Sequence, residues 1–321
     1  MVIKTIFVAG ASGYIGAAVV RNAVAKGYSV RGLSRSELSD EKILAMGATP
    51  VRGNLETLDV FAREAASADA VCFIADAFNG SGWKLHYDEV SKIHNRAIDA
   101  VAGAMEGTGK PLVVSGGALI VTARADGEET TEDDPDDKTA FVDRSIIANH
   151  TLSWKAKGVN ASVIQLAPWV YGNAGSGTAL LFSMFSDAGV GLIVDGGKNR
   201  TSFVHVEDAA RMYLLAAEAG DAAGGQRFNC VSDTTVTYAQ YVEAVASKLG
   251  IETVQVTLED AGKKVGPFFA DFLQAPCRAN SDKAKKILGW KPTEATILDD
   301  IKSGSYAAVA EGLKKAKAIA D

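Results

Sequence analysis

Short apolar runs recur along the first two-thirds of the chain, each bounded by polar or glycine-rich turns. They cover Thr5–Ala9, Ser29–Leu33, Thr49–Arg52, Ala70–Ile74, Pro111–Ser115, Ser162–Leu166 and Gln226–Val231. Runs this short, with little polar alternation, read as strands buried on both faces. Between them the apolar positions switch to helical spacing, as at Ile15, Ala18, Val19 and Ala23, and at Ile98, Val101, Ala102 and Met105. Phe141–Lys155 and Tyr238–Leu249 are also read as helices. The alternation predicts an α/β fold built on a doubly wound parallel sheet. Strands at Thr5, Val30, Val51, Val71, Val113 and Ile164 belong in that one sheet, because each connection is long enough for a right-handed crossover helix.

The first strand breaks into a glycine turn, Gly10, Gly13 and Gly16, which opens the first helix. Gly10 permits a sharp turn, Gly13 lets a phosphate approach the main chain, and Gly16 lets helix and strand pack closely. The first-turn N–H groups of that helix then face a pyrophosphate. About 20 residues on, where an acid would hold the adenosine ribose of NAD, the second strand ends in Ser34-Arg35-Ser36. A guanidinium flanked by two hydroxyls suits a 2′-phosphate. NADP(H) is therefore the favoured cofactor, with NAD(H) the alternative because Glu37 stands nearby.

Composition narrows the class without naming it. The 321 residues are 47% hydrophobic and 22% charged, as in an ordinary globular protein. A net charge of −6 argues against nucleic acid as a partner, and no apolar run is long enough for a membrane span. Cys72, Cys230 and Cys277 are odd in number and far apart, and read as packing residues in a reducing compartment. His86, His94, His150 and His205 lack metal-ligand spacing, so no metal is expected. The first strand begins too early to leave room for a signal peptide, which points to the cytoplasm. The carboxylates from Glu128 to Asp137 read as a solvated loop. The partners expected are a small molecule and, at most, a second copy of the chain: a monomer or homodimer.

The Gly-x-x-Gly-x-x-Gly spacing resembles the extended, epimerase-like branch of the short-chain dehydrogenase/reductase superfamily. Gly53-Asn54-Leu55, Pro168-Trp169-Val170-Tyr171-Gly172, Phe203-Val204-His205-Val206 and Leu288-Gly289-Trp290-Lys291-Pro292 are similar to its later motifs. The resemblance implies a Rossmann domain over residues 1–171, completed by about 202–232. It also implies a smaller C-terminal substrate lobe over about 172–201 and 233–321. It assigns the nucleotide to Gly10, Ser12, Gly13, Tyr14, Ile15, Gly16, Ser34, Arg35, Ser36, Asn54, Leu55, Ala75, Ser115, Pro168 and Val170.

The catalytic residues of that branch are missing. Counting back from Val170-Tyr171-Gly172, its tyrosine falls on Phe141 and its lysine on Ser145. The usual hydroxyl falls on Gly116 or Gly117, and Asn149 and Leu166 replace two further polar positions. Such a chain resembles the atypical members that keep the fold and lose the Tyr-x-x-x-Lys pair. Replacement proton donors are sought at Tyr171, His205 and Asp143; Arg144, beside the lost tyrosine, could also face the cleft, and Lys84, His86 and Tyr87 border the same region. Three readings follow: a reductase or dehydrogenase with a rearranged donor, a redox-neutral isomerase, cyclase or dehydratase, or a nucleotide sensor. The Gly- and Phe-rich segment from Gly172 to Arg200 favours a hydrophobic or aromatic metabolite.

Overall fold

The computed structural model describes residues 2–80, 82, 85–137 and 143–320. Seven strands form one parallel sheet: β1 (Thr5–Ala9), β2 (Ser29–Ser34), β3 (Thr49–Arg52), β4 (Ala70–Phe73), β5 (Pro111–Gly117), β6 (Asn160–Leu166) and the later Arg227–Cys230. Their spatial order is β3-β2-β1-β4-β5-β6, with Arg227–Cys230 on the outer edge of β6. All six expected strands lie in this sheet. The boundaries differ from the sequence reading by a residue or two, most at β5, which continues through Gly116 and Gly117 because both pair with β6.

Both faces of the sheet are covered, which is why its strands lack polar alternation. In β1, Ile6 and Val8 pack with Val19, Tyr213 and Trp290, whereas Phe7 and Ala9 pack on the other side with Phe61, Phe73, Ile98 and Val101. The helix Tyr87–Gly103 starts earlier than its apolar spacing shows, since its first turn is polar. The expected helix 141–155 runs as an α-helix from Ser145 to Ser153 and then a 3-10 turn, Trp154–Lys157; Phe141 lies outside the described residues.

Beyond the sheet, β7 (Trp169–Tyr171) pairs with β9 (Phe203–His205), and β8 (Val190–Val194) pairs with β11 (Glu252–Val256), both parallel; Arg227–Cys230 is β10 in chain order. A second hydrophobic cluster joins Trp169, Phe182, Phe185, Tyr238, Tyr241, Ile301 and Tyr306. This forms the smaller lobe beside the C-terminal ends of the strands. The chain enters it through Asn173, Ala174 and Ser176, three non-glycine residues with φ of 50°, 57° and 69°. Left-handed backbone costs roughly 1 kcal/mol or more per residue. Local bonds hold it, with the Asn173 amide on Glu207 and the Ala174 N–H on Ser305 Oγ.

The C-terminal segment is tied back by Asp208, which is buried on the helix Val206–Ala219. Its carboxylate accepts from the Thr293 and Glu294 N–H groups and from Arg211, and its carbonyl accepts from Trp290 Nε1. Replacing Asp208 by Ala strands the Thr293 and Glu294 N–H groups and removes one partner of Arg211, while the carbonyl bond to Trp290 remains. We expect a loss of about 3 kcal/mol in urea unfolding, since each buried donor left unpaired costs roughly 1–3 kcal/mol. An unfolding midpoint equal to that of the unmodified protein would contradict the tie.

Candidate active site

A cleft of about 1770 Å³ runs along the C-terminal ends of β1, β2, β4, β5 and β6. It lies where the strand order reverses between β1 and β4, the switch point at which open α/β sheets take ligands. Its floor is the glycine turn. Gly10 sits at φ +88°, and a Cβ there would lie 2.7 Å from Ala75 N. A Cβ on Gly16 would lie 2.0 Å from the Gly10 carbonyl oxygen. No side chain fits either place. The helix Tyr14–Ala25 has no side-chain cap at its N-terminus, so its first N–H groups remain directed to the cleft end.

All of the sequence-assigned nucleotide residues line this cleft except Ser34 and Ser36. Those two hydroxyls have structural work instead. Ser34 Oγ donates to the Ser36 carbonyl, and Ser36 Oγ caps the helix Glu37–Ala45 by accepting from Ser39 N–H. Ser39 and Lys42 on that helix line the cleft beside Arg35. Sequence reading missed both, although a hydroxyl and a cation at positions 39 and 42, one helical turn apart after the Ser36 N-cap, were a usable signal. Asn54 is half committed: its side-chain oxygen accepts from Glu56 N–H at 2.8 Å. Ser115 Oγ and Tyr213 Oη lie 2.6 Å apart.

At the deep end stands a cluster built around Arg144, one of the residues beside the lost tyrosine, and Asp76, which sequence reading missed. Arg144 Nη2 donates to Asp76 Oδ2 at 2.8 Å, and the guanidinium lies 5.8 Å from the centre of the Tyr87 ring. Phe78 N–H donates to Asp76 Oδ1 at 2.8 Å. Burial pushes the Asp76 carboxyl up, but the Arg144 charge outweighs it and holds the carboxyl below its ordinary value. His94 Nε2 accepts from Ala77 N–H at 3.0 Å, which requires the neutral ring. Burial takes His94 down to about 4. Gly117 explains the packing: a Cβ there would sit 3.1 Å from Arg144 Cδ. Of the two glycines at which the resemblance puts the usual hydroxyl, Gly117 is the one that faces the arginine stem.

The three proposed donors lie elsewhere. Tyr171 is buried behind the cleft wall; its hydroxyl donates to the Ala295 carbonyl at 2.7 Å and its ring packs edge-on against His205. His205 Nδ1 accepts from Glu207 N–H and so caps the helix Val206–Ala219. Asp143 Oδ1 accepts from the N–H and Oγ of Ser145. None of the three lines the cleft. Tyr171 and His205 brace the two parts of the chain, and Asp143 orders a helix start. Lys84 and Phe141 lie outside the described residues. No cluster of His, Cys, Asp and Glu able to hold a metal occurs among the described residues.

This fold and cleft define a dinucleotide-binding α/β protein of the epimerase type. Residues 6–230 match the model of the NAD dependent epimerase/dehydratase family, and the chain belongs to that family. An uncharacterized Schizosaccharomyces pombe protein is 30% identical over 303 residues, covering 94% of this chain and 99% of that one. A Stigmatella aurantiaca protein named as a 4-hydroxy-2-methyl-3-oxo-4-farnesyl-3,4-dihydroquinoline-1-oxide ketoreductase is 27% identical over 255 residues, covering 77% of this chain and 73% of that one. Thermotoga maritima UDP-glucose 4-epimerase, solved with UDP-glucose, superposes with a TM-score of 0.74 at 19% identity, over 98% of this chain and 99% of that one. At that identity the likeness shows the fold alone. No described helix is long and apolar enough to cross a membrane.

The His94 environment sets a pH dependence. A histidine depressed from its ordinary value near 6.5 to about 4 stabilises the fold fully above pH 6.5, and loses that contribution as pH falls through 4. We expect stability to decline across this window by on the order of 3 kcal/mol. His94→Gln keeps an acceptor for Ala77 N–H and should flatten the decline. Denaturant titrations at a series of pH values read this directly; equal slopes in both proteins would refute it.

Proposed function

We propose that the protein is an NADP(H)-dependent reductase or dehydrogenase of a small hydrophobic metabolite, working without the Tyr-x-x-x-Lys pair. The observation that carries the cofactor half is the glycine turn opening onto a cleft whose far rim holds Arg35, Lys42 and Ser39. Two cations and a hydroxyl lining one cleft with the glycine turn suit the 2′-phosphate that distinguishes NADP(H) from NAD(H). Gly10, Ser12, Gly13, Tyr14, Ile15 and Gly16 would bind the pyrophosphate. Asn54 and Leu55 would border the adenine, and Ala75, Ser115, Pro168 and Val170 the nicotinamide half.

When bound, a reduced nicotinamide supplies a hydride. The chain's own groups then have to hold the acceptor, keep water from the reacting atoms and stabilise the charge that forms on oxygen. Apolar walls from Leu119, Leu180, Phe268 and Phe272 provide the exclusion. The Stigmatella relative is named as a ketoreductase of a farnesylated dihydroquinoline, which favours an apolar ketone over a sugar nucleotide. We assign the nucleotide-binding domain to residues 1–171, completed by about 202–232, and the smaller substrate-side lobe to about 172–201 and 233–321.

Equilibrium titration with both nucleotides tests the reading. NADPH should bind more tightly than NADH, and Arg35→Ala should remove most of that preference. One charge-assisted contact corresponds to roughly 10- to 150-fold in affinity. Lys42→Ala should reduce the same preference by a smaller factor, because an ammonium makes a point contact where a guanidinium makes two. Equal affinities for the two nucleotides in the unmodified protein would sink the NADP(H) assignment.

A further inference from the structure

We infer that Arg144, locked by Asp76, is the group that binds the reacting oxygen of the substrate, and that the substrate is a planar aromatic ketone. The inference rests on the reductase reading above and names its substrate class. Arg144 lines the cleft from beneath Gly117, at the end of β5. Among the described residues its side-chain hydrogen bonds end at Asp76, so the planar fork keeps N–H donors on Nε and Nη1. A guanidinium never gives up its proton in a protein. It can therefore stabilise an oxyanion by hydrogen bonding but cannot replace a titrating tyrosine.

Charge decides which oxygen it takes. Asp76 already neutralises the guanidinium, and a carboxylate on the ligand would stand beside that of Asp76. Like charges at short range in a partly buried site are strongly disfavoured. A neutral carbonyl oxygen meets no such penalty: it gains negative charge only as it is reduced, and the resulting oxyanion takes its proton from solvent water as the product leaves.

The walls decide the rest of the molecule. Phe78 and Phe268 lie 5.7 Å apart between ring centres, and Phe268 stacks on Phe272 at 6.2 Å with 16° between the planes. Phe272 meets Trp169 edge-on at 5.1 Å. All four rings line the same cleft as Arg144. They offer faces and edges to a flat ring system, each contact worth more than its area alone. Phe78 also connects the two features, since its N–H fixes Asp76 and its ring is part of the wall.

The probes are three naphthalenes of one shape: 2-acetonaphthone (ketone), 2-naphthoate (carboxylate) and 2-ethylnaphthalene (no oxygen). Each is titrated by calorimetry into the protein, alone and saturated with NADP⁺. We expect 2-acetonaphthone to bind most tightly. Arg144→Gln should weaken it about 10-fold or more, with no effect on 2-ethylnaphthalene. Should Arg144→Gln unfold, the paired variant Asp76→Asn with Arg144→Gln carries no lone buried charge and gives the same readout. Wild-type ketone affinity in any of these folded variants overturns the assignment, as does no ketone binding at all. Tighter binding of 2-naphthoate overturns the neutral-carbonyl class. Failure of NADP⁺ to bind while the Arg144-dependent ketone affinity persists would remove the reductase reading and leave the arginine site standing.

Discussion

The structure depends on one close approach of main chain to main chain. The turn after β1 touches the end of β4 at Gly10 and Ala75, and folds back on itself at Gly10 and Gly16, at separations that leave no room for a single methyl group. That contact brings the first helix down onto the sheet and sets its N-terminus at the switch point. It leaves the backbone exposed where a phosphate can reach it. Everything placed around the cleft takes its position from this floor.

A second set of contacts makes the smaller lobe answer to the same turn. Tyr14, the first residue of the first helix, donates to the Gly172 carbonyl at 2.7 Å. Tyr306 accepts from Gly172 N–H and donates to the Gly175 carbonyl, both at 2.9 Å. These bonds enclose the left-handed residues 173, 174 and 176 that lead into the lobe. A strained connection held from both sides is stiff, so the walls carrying Phe268 and Phe272 are presented to the sheet in one arrangement. Asp208 does the same for the C-terminal segment.

The deep end shows how a family fold tolerates loss of its usual chemistry. The resemblance puts the usual hydroxyl at Gly116 or Gly117, and the bare backbone of Gly117 leaves room for a long cationic stem from the neighbouring helix start. Arg144 enters with Asp76 as counter-charge, and neither is left as an isolated buried ion. His94 stays neutral beside them because burial disfavours its charged form, and its ring nitrogen accepts from Ala77 N–H. A polar centre has thus been exchanged for another of different character: one that stabilises charge but does not titrate near neutrality.

The sequence alone determined the parallel sheet, its strand ends and the phosphate turn, because these follow from local periodicity and from glycines where no Cβ fits. The residues along one nucleotide cleft were mostly legible too, since each stands at the end of a strand and strand ends share one edge. What only tertiary structure decided was which polar groups are already spent. Tyr171 and His205 have the right chemistry for proton transfer, but the Tyr171 hydroxyl is used by Ala295, His205 Nδ1 is used by Glu207, and neither residue lines the cleft. The carboxylates of the 128–137 loop look solvated as a run of like charges, yet Asp134 grips Arg124, Asp136 grips Arg227 and Glu132 accepts from Asn229 N–H. Asp76 and Arg144 stand 68 positions apart, with no spacing rule to join them. Local patterns fix backbone, but pairing of charges across such distances is set by which strand ends the sheet brings side by side.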